Sequence, residues 1–206
     1  MNDLELAVVH DAKNKLCEVV FRLESRGDCF AEIESIIHAS NSLTNLILWH
    51  RQQNGAMHIN VDSASPSDLL NEVAAEFRQF FPSLIIDCET SKAPIFWFYD
   101  EACIRLALVN ALHNACHFAK AKVQLSTSVC DVDNKLVFTV RDDGMGYDDA
   151  MLERYCQHKL AEVSLRGTGV GLLLASSIAE MHERKGLHGQ VAIYNDNGAV
   201  FEMALP

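Results

Sequence analysis

The chain opens on two helical patterns. Apolar residues at Leu6, Val9, Leu16, Val20 and Leu23 recur at three- and four-residue spacing, interrupted only by Lys13, and predict an amphipathic helix over residues 3–25. Arg26-Gly27-Asp28 has turn chemistry. A second helix is predicted over 29–52, with Ile33, Ile36, Ile37, Leu43, Leu46, Ile47 and Trp49 on one stripe. Helices joined by so short a turn run antiparallel. Their uncovered stripe packs either on the following domain or on a second copy, which would complete a four-helix bundle.

The pattern changes from Asn54 onward. Residues 57–61 alternate as a short strand, and Ser65-Pro66-Ser67-Asp68 is a helix start with its proline near the first helical position. A helix is predicted to about Phe81, then strands at 84–88 and 95–98, then a long helix over 100–118. Strands at 123–129 and 135–141 flank a turn at 131–134. Residues 147–166 are polar and irregular, 167–181 read as a glycine-opened helix, and 192–194 with 199–205 close as a hairpin around 195–198. The expected fold class is α+β: a two-helix hairpin over 1–54, then an α/β sandwich over 55–206 with helices on one face of a mixed sheet. No internal repeat or low-complexity segment interrupts it.

Composition narrows the class. With 206 residues, 49% of them hydrophobic, the chain can bury one good core plus a small helical appendage. A formal charge of -11 argues against nucleic acid or an anionic membrane surface as partner, since polyanions bind basic patches. Seven scattered cysteines without a Cys-x-x-Cys pair fit reduced thiols and a cytoplasmic location. No apolar run approaches the roughly 20 residues of a membrane helix.

Three separated segments carry chemistry. Asp142-Asp143-Gly144-Met145-Gly146 leaves a strand. Its glycines let the backbone approach a flat ligand, and its carboxylate can accept a bond from an exocyclic amine, although such a turn is as often a plain strand exit. Gly167-Thr168-Gly169-Val170-Gly171-Leu172 opens a helix, where small residues let main-chain N–H groups meet phosphate oxygens. It is not a Walker loop, because no Gly-Lys-Ser/Thr follows. Asn110 and Asn114 lie one turn apart on one helical face, and an amide oxygen is a hard ligand suited to Mg²⁺.

In this order and spacing, the three segments resemble the N, G1 and G2 boxes of the GHKL (Bergerat-fold) ATP-binding domain, over about residues 56–206. The resemblance implies that Asp142 binds adenine and that Asn114 ligates Mg²⁺. It gives Gly144 and Gly146 the adenine wall, and Gly167, Thr168, Gly169, Val170, Gly171 and Leu172 the edge of the triphosphate. Asn110, His117 and Phe118 complete the implied nucleotide-binding set, and 147–166 becomes a lid. Gyrase and MutL relatives carry a water-activating glutamate where this chain has Asn110, so the resemblance points to the kinase branch. His10-Asp11-Ala12-Lys13-Asn14 is similar to the H box of two-component histidine kinases. That likeness makes His10 the phosphoacceptor, Asp11 its general base and Asn14 a residue that orients water on a phosphorylated partner.

The function expected is autophosphorylation of His10 from Mg-ATP, then transfer to an aspartate of a response-regulator receiver domain by a homodimer. With nine residues ahead of His10, input is expected from a separate sensory or regulatory protein unless the chain is a fragment. The family usually has a lysine where this chain has His117 and an arginine where it has Gln157. Those two departures favour the alternative of a histidine phosphotransferase shuttle, whereas the intact boxes oppose it. A non-kinase GHKL module is opposed by the H box and by Asn110. His113 and His117 have zinc-compatible spacing but no third ligand, and His182 is expected to be structural.

Overall fold

The computed structural model describes residues 58–156 and 169–206, together with single positions and short runs between 11 and 55. The chain forms two compact units, Met1–Met57 and His58–Pro206, a boundary three residues past the one expected from the change of pattern at Asn54. In the first unit, every described position from 11 to 23 and from 32 to 47 is helical. Asp11 and Asn14 are exposed, and Lys15 pairs with Asp11 at 2.7 Å across one helical turn. His10 lies outside the described residues.

The second unit is a two-layer sandwich. Its five-stranded sheet has the order β2 (Ile85–Glu89), β4 (Lys122–Val129), β5 (Leu136–Asp142), β9 (Ala199–Leu205) and β8 (Gln190–Asn195). The β2–β4 pair is parallel and the others are antiparallel. Helices α1 (Pro66–Phe80), α2 (Glu101–Phe118) and α4 (Gly169–Met181) pack on one face. A short helix, α3 (Asp149–Cys156), follows β5. Two small antiparallel pairs, β1 (Asp62–Ala64) with β3 (Trp97–Tyr99) and β6 (Glu183–Arg184) with β7 (Leu187–His188), complete it.

Local chemistry explains the helix starts. Ser65 caps α1, its hydroxyl accepting from the Asp68 N–H, with Pro66 at the first position. Leu69, Leu70, Val73, Ala74 and Phe77 then form the buried stripe. Asp100 caps α2 by accepting from the Cys103 N–H at 2.9 Å, and its other oxygen accepts from the Asn60 N–H at 2.7 Å. That second bond explains why the strand expected at 57–61 is absent over 58–61: the Asn60 amide serves the cap, and pairing begins only at Asp62, opposite Tyr99.

The core sits between helices and sheet, around Leu108, Leu112, Leu125, Phe138, Leu174, Ile178 and Met203. Each contributes roughly 1.5–3 kcal/mol through burial. His182 ties the two site-bearing helices together from within this layer. Its Nε2 accepts from the Asp100 N–H at 3.0 Å, so Nδ1 carries the proton and donates to the Ile178 carbonyl at 2.7 Å. Burial pushes its pKa below the usual value.

Two further differences from the sequence expectation concern loops. The segment 147–166 is not irregular throughout, because α3 occupies its start, capped by the Asp148 carboxylate, which accepts from the Met151 N–H at 2.6 Å. Residues 183–188 also form a hairpin, with Lys185 and Gly186 both at positive φ, as a tight two-residue turn requires.

Candidate functional site

Strand periodicity places the central carboxylate. Along β5, Leu136, Phe138, Val140 and Asp142 are the buried, inward-facing positions, so the alternation that builds the core carries Asp142 onto the same face at the strand end. Asp142 is 6% exposed. Its Oδ1 accepts from the Gly144 N–H at 2.7 Å and the Ala199 N–H at 3.2 Å. Among the described residues Oδ2 takes no hydrogen bond.

Asp142 lines an open cleft of about 310 Å³. One wall is α2, through Ala111, Asn114, Ala115 and Phe118. The opposite wall is the chain leaving β5, through Met145, Gly146 and Tyr147, and Val140, Ala199 and Phe201 form the apolar floor. Gly144 is required by a close approach: a Cβ there would collide with the Phe118 carbonyl oxygen and lie 2.8 Å from Asp142 Oδ1. Gly146 is required by its backbone, at φ +84°.

Behind this cleft lies a cavity of about 30 Å³, lined by Asn110, Asn114, Gly171 and Leu172 and shared with Tyr147, Met151 and Phe201. Asn114 therefore borders both spaces, and its carboxamide has no hydrogen-bond partner among the described residues. Asn110 donates to the Leu106 carbonyl at 2.9 Å and borders only the smaller cavity. A Cβ on Gly171 would reach Asn110 Cβ at 3.7 Å, an ordinary contact. Leu172 is 8% exposed, in the core rather than at the cleft.

The remaining candidates fall elsewhere. Gly167 and Thr168 lie outside the described residues. Gly169 and Val170 form the first turn of α4. Phe118 is 61% exposed at the cleft mouth. His117 is exposed and does not line the cleft: its ring stacks on His113 at 6.0 Å and meets Phe118 edge-on at 5.6 Å. The helical one-turn spacing that suggests zinc thus yields a ring stack, and no metal-capable group of three side chains occurs among the described residues. No described helix is long and apolar enough to cross a membrane. Cys88, Cys103, Cys116, Cys130 and Cys156 are free thiols, with Cys103 pushed up to about 12 by burial.

Residues 99–206, just over half of the chain, match the family described as histidine kinase-, DNA gyrase B-, and HSP90-like ATPases. The chain belongs to this ATPase family. It is similar to the sensor protein KdpD of Clostridium acetobutylicum, 24% identical over 172 residues that cover 80% of this chain and 18% of KdpD. Similarity to the sensor histidine kinase YvrG of Bacillus subtilis is 25% over 151 residues, 70% of this chain and 26% of YvrG. This chain thus spans only a minor part of the curated relatives it matches. Full-length ShkA, solved in complex with AMPPNP, superposes with a TM-score of 0.71 at 24% identity, over 100% of this chain and 46% of ShkA. The second unit is accordingly a GHKL-type domain, the catalytic core found in histidine kinases.

Three residues in or beside the cleft of this GHKL domain have roles that the sequence patterns did not assign individually. Tyr147 borders both cavities, and burial, with the Asp142 charge beside it, lifts its phenol pKa so that it stays protonated. Asp143 works on the outside of the motif, accepting from the N–H groups of Lys120 and Ala121, which holds its carboxyl below the usual range. Asn195 lies 48 residues beyond Tyr147 and bonds its backbone at both ends. Only the three-dimensional register brings it there.

Proposed function

We propose that the chain is a cytoplasmic, homodimeric histidine kinase that phosphorylates His10 from Mg-ATP and passes the phosphoryl group to an aspartate of a response-regulator receiver domain. The observation that carries the reading is the cleft between α2 and the β5 exit, lined by a buried carboxylate and an asparagine amide over an apolar floor, with one carboxylate oxygen and the amide free of hydrogen bonds among the described residues. Asp142 Oδ2 accepts from the adenine amine, Phe118 and Met145 flank the base, and the main chain opening α4 offers N–H groups to phosphate oxygens. Asn114 suits Mg²⁺, since its amide is a hard oxygen donor without a competing hydrogen bond among the described residues. Bound Mg²⁺ would neutralise charge on the phosphates.

In the transfer, the neutral imidazole of His10 attacks the γ-phosphorus, the bond to the bridging oxygen breaks, and ADP leaves. Asp11, exposed and next in sequence, orients and deprotonates the imidazole. Asn14, also exposed, takes the water-orienting role on the phosphorylated receiver. The glycine-rich start from Gly167 through Gly171 edges the triphosphate in this reading. A separate sensory or regulatory protein supplies the input.

The position of His117, stacked on His113 outside the cleft lining, favours a second reading, a histidine phosphotransferase that shuttles phosphate between receivers. Incubation of pure protein with γ-labelled ATP and Mg²⁺, followed by addition of a receiver domain, separates the two. The kinase reading expects acid-labile label that moves to the receiver. Label accepted only from an already phosphorylated receiver supports the shuttle, and absence of nucleotide binding refutes the cleft assignment.

A further inference from the structure

The turn between β8 and β9 touches two parts of the cleft at once. On one side, the Ala199 N–H donates to Asp142 Oδ1 at 3.2 Å. On the other, Asn195 grips Tyr147: the Tyr147 N–H donates to Asn195 Oδ1 at 2.8 Å, and Asn195 Nδ2 donates to the Tyr147 carbonyl at 2.9 Å. The turn itself is braced by Arg141, whose Nη1 donates to the Asp196 carboxylate at 2.6 Å and to its carbonyl at 3.1 Å.

Residues 145–147 have left the sheet, and all three line the cleft. Among the described residues, their main chain makes no hydrogen bond other than the two to Asn195. The carboxamide therefore takes the place of a missing ladder rung. It also fills the space beside Gly146, where a Cβ would lie 2.6 Å from Asn195 Oδ1. Asn195 is itself fixed at the end of β8, paired opposite Ala199. The wall of the cleft is thus held by one side chain from a distant strand.

We propose that Asn195 is a positioning residue for the nucleotide: its carboxamide sets the Gly146–Tyr147 wall at the distance the base end of the cleft requires. The proposal rests on the nucleotide reading of the same cleft. Asn195 is exposed and outside the hydrophobic core, so removing its amide leaves the five-stranded ladder and the buried side chains intact. What is lost is the definition of the wall. The flexible segment must then be ordered at the moment of binding, which lowers affinity.

The test is calorimetric titration of the full chain with a non-hydrolysable ATP analogue and, separately, with adenosine. Asn195→Ala is expected to weaken both ligands by a similar factor, about tenfold for two net hydrogen bonds. Asn195→Asp keeps the acceptor for the Tyr147 N–H but loses the donor, and should fall between. Amide exchange at Tyr147 should accelerate in Asn195→Ala while the amides of β5 and β9 keep their protection, a pattern that general unfolding does not produce. Wild-type affinity in Asn195→Ala, or weakened binding with unchanged exchange at Tyr147, overturns the proposal alone. A wild-type chain that binds neither ligand removes the nucleotide reading and the proposal with it.

Discussion

Asp142→Asn separates the two jobs of the central carboxylate. Oδ1 accepts the Gly144 and Ala199 N–H groups, and under the proposed function Oδ2 receives the adenine amine. A carboxamide can place its oxygen at Oδ1 and keep both internal bonds, but its NH₂ then occupies the Oδ2 position. There it meets the adenine amine donor to donor. A hydrogen bond to a charged group contributes about 1.5–3 kcal/mol, so affinity should fall by roughly 10- to 150-fold. Stability should change by less than about 1 kcal/mol, since both internal bonds survive. Asp142→Ala removes everything: the buried Gly144 N–H loses its acceptor, at a cost of about 1–3 kcal/mol, the half-buried Ala199 N–H loses its own at less, and binding is lost as well. The assay is titration with a non-hydrolysable ATP analogue alongside urea unfolding. A purine analogue lacking the exocyclic amine supplies the control, because it should bind the wild type weakly and lose little further in Asp142→Asn. Equal affinity of wild type and Asp142→Asn for the ATP analogue would refute the role of Oδ2 as base acceptor.

Asn114→Ala should leave the urea midpoint unchanged, since its amide has no partner among the described residues, while abolishing the Mg²⁺-dependent part of nucleotide affinity; titrations with and without Mg²⁺ measure it. Gly144→Ala forces a Cβ against the Phe118 carbonyl oxygen and Asp142 Oδ1, and overpacking of that kind costs about 1–3 kcal/mol, read as a lowered thermal midpoint. His182 is buried in its neutral form with a depressed pKa, so the unfolded chain binds the extra proton first as pH falls. Its contribution to stability is complete above the ordinary value of 6.5 and is lost below it, with a slope of at most about 1.4 kcal/mol per pH unit until the folded-state pKa is reached. Urea unfolding between neutral and mildly acidic pH should show this slope in the wild type, and a smaller one in His182→Gln.

Much of this domain was legible along the chain because its determinants are local. Pro66 and Ser65 announce α1, the alternation of β5 carries Asp142 to the inner face, and one helical turn separates Asn110 from Asn114. What escaped lacked a local period. Helix α3 has no buried residue and so no apolar stripe to reveal it. The strands of the β6–β7 hairpin are two residues long, too short to alternate. Asn195 acts on a segment 48 residues earlier, joined to it only through β9. The ring stack of His113 and His117 likewise depended on side-chain directions that spacing alone leaves open.

Phosphorus NMR on the full chain after addition of Mg-ATP reads out whether nucleotide bound in the cleft phosphorylates His10. A phosphoramidate signal on imidazole, stable in base and lost in acid, is expected in the wild type and absent from both His10→Ala and Asn114→Ala. A phosphoramidate that persists in His10→Ala, or unaltered ATP with the wild type under conditions where titration shows it bound, would contradict the kinase reading.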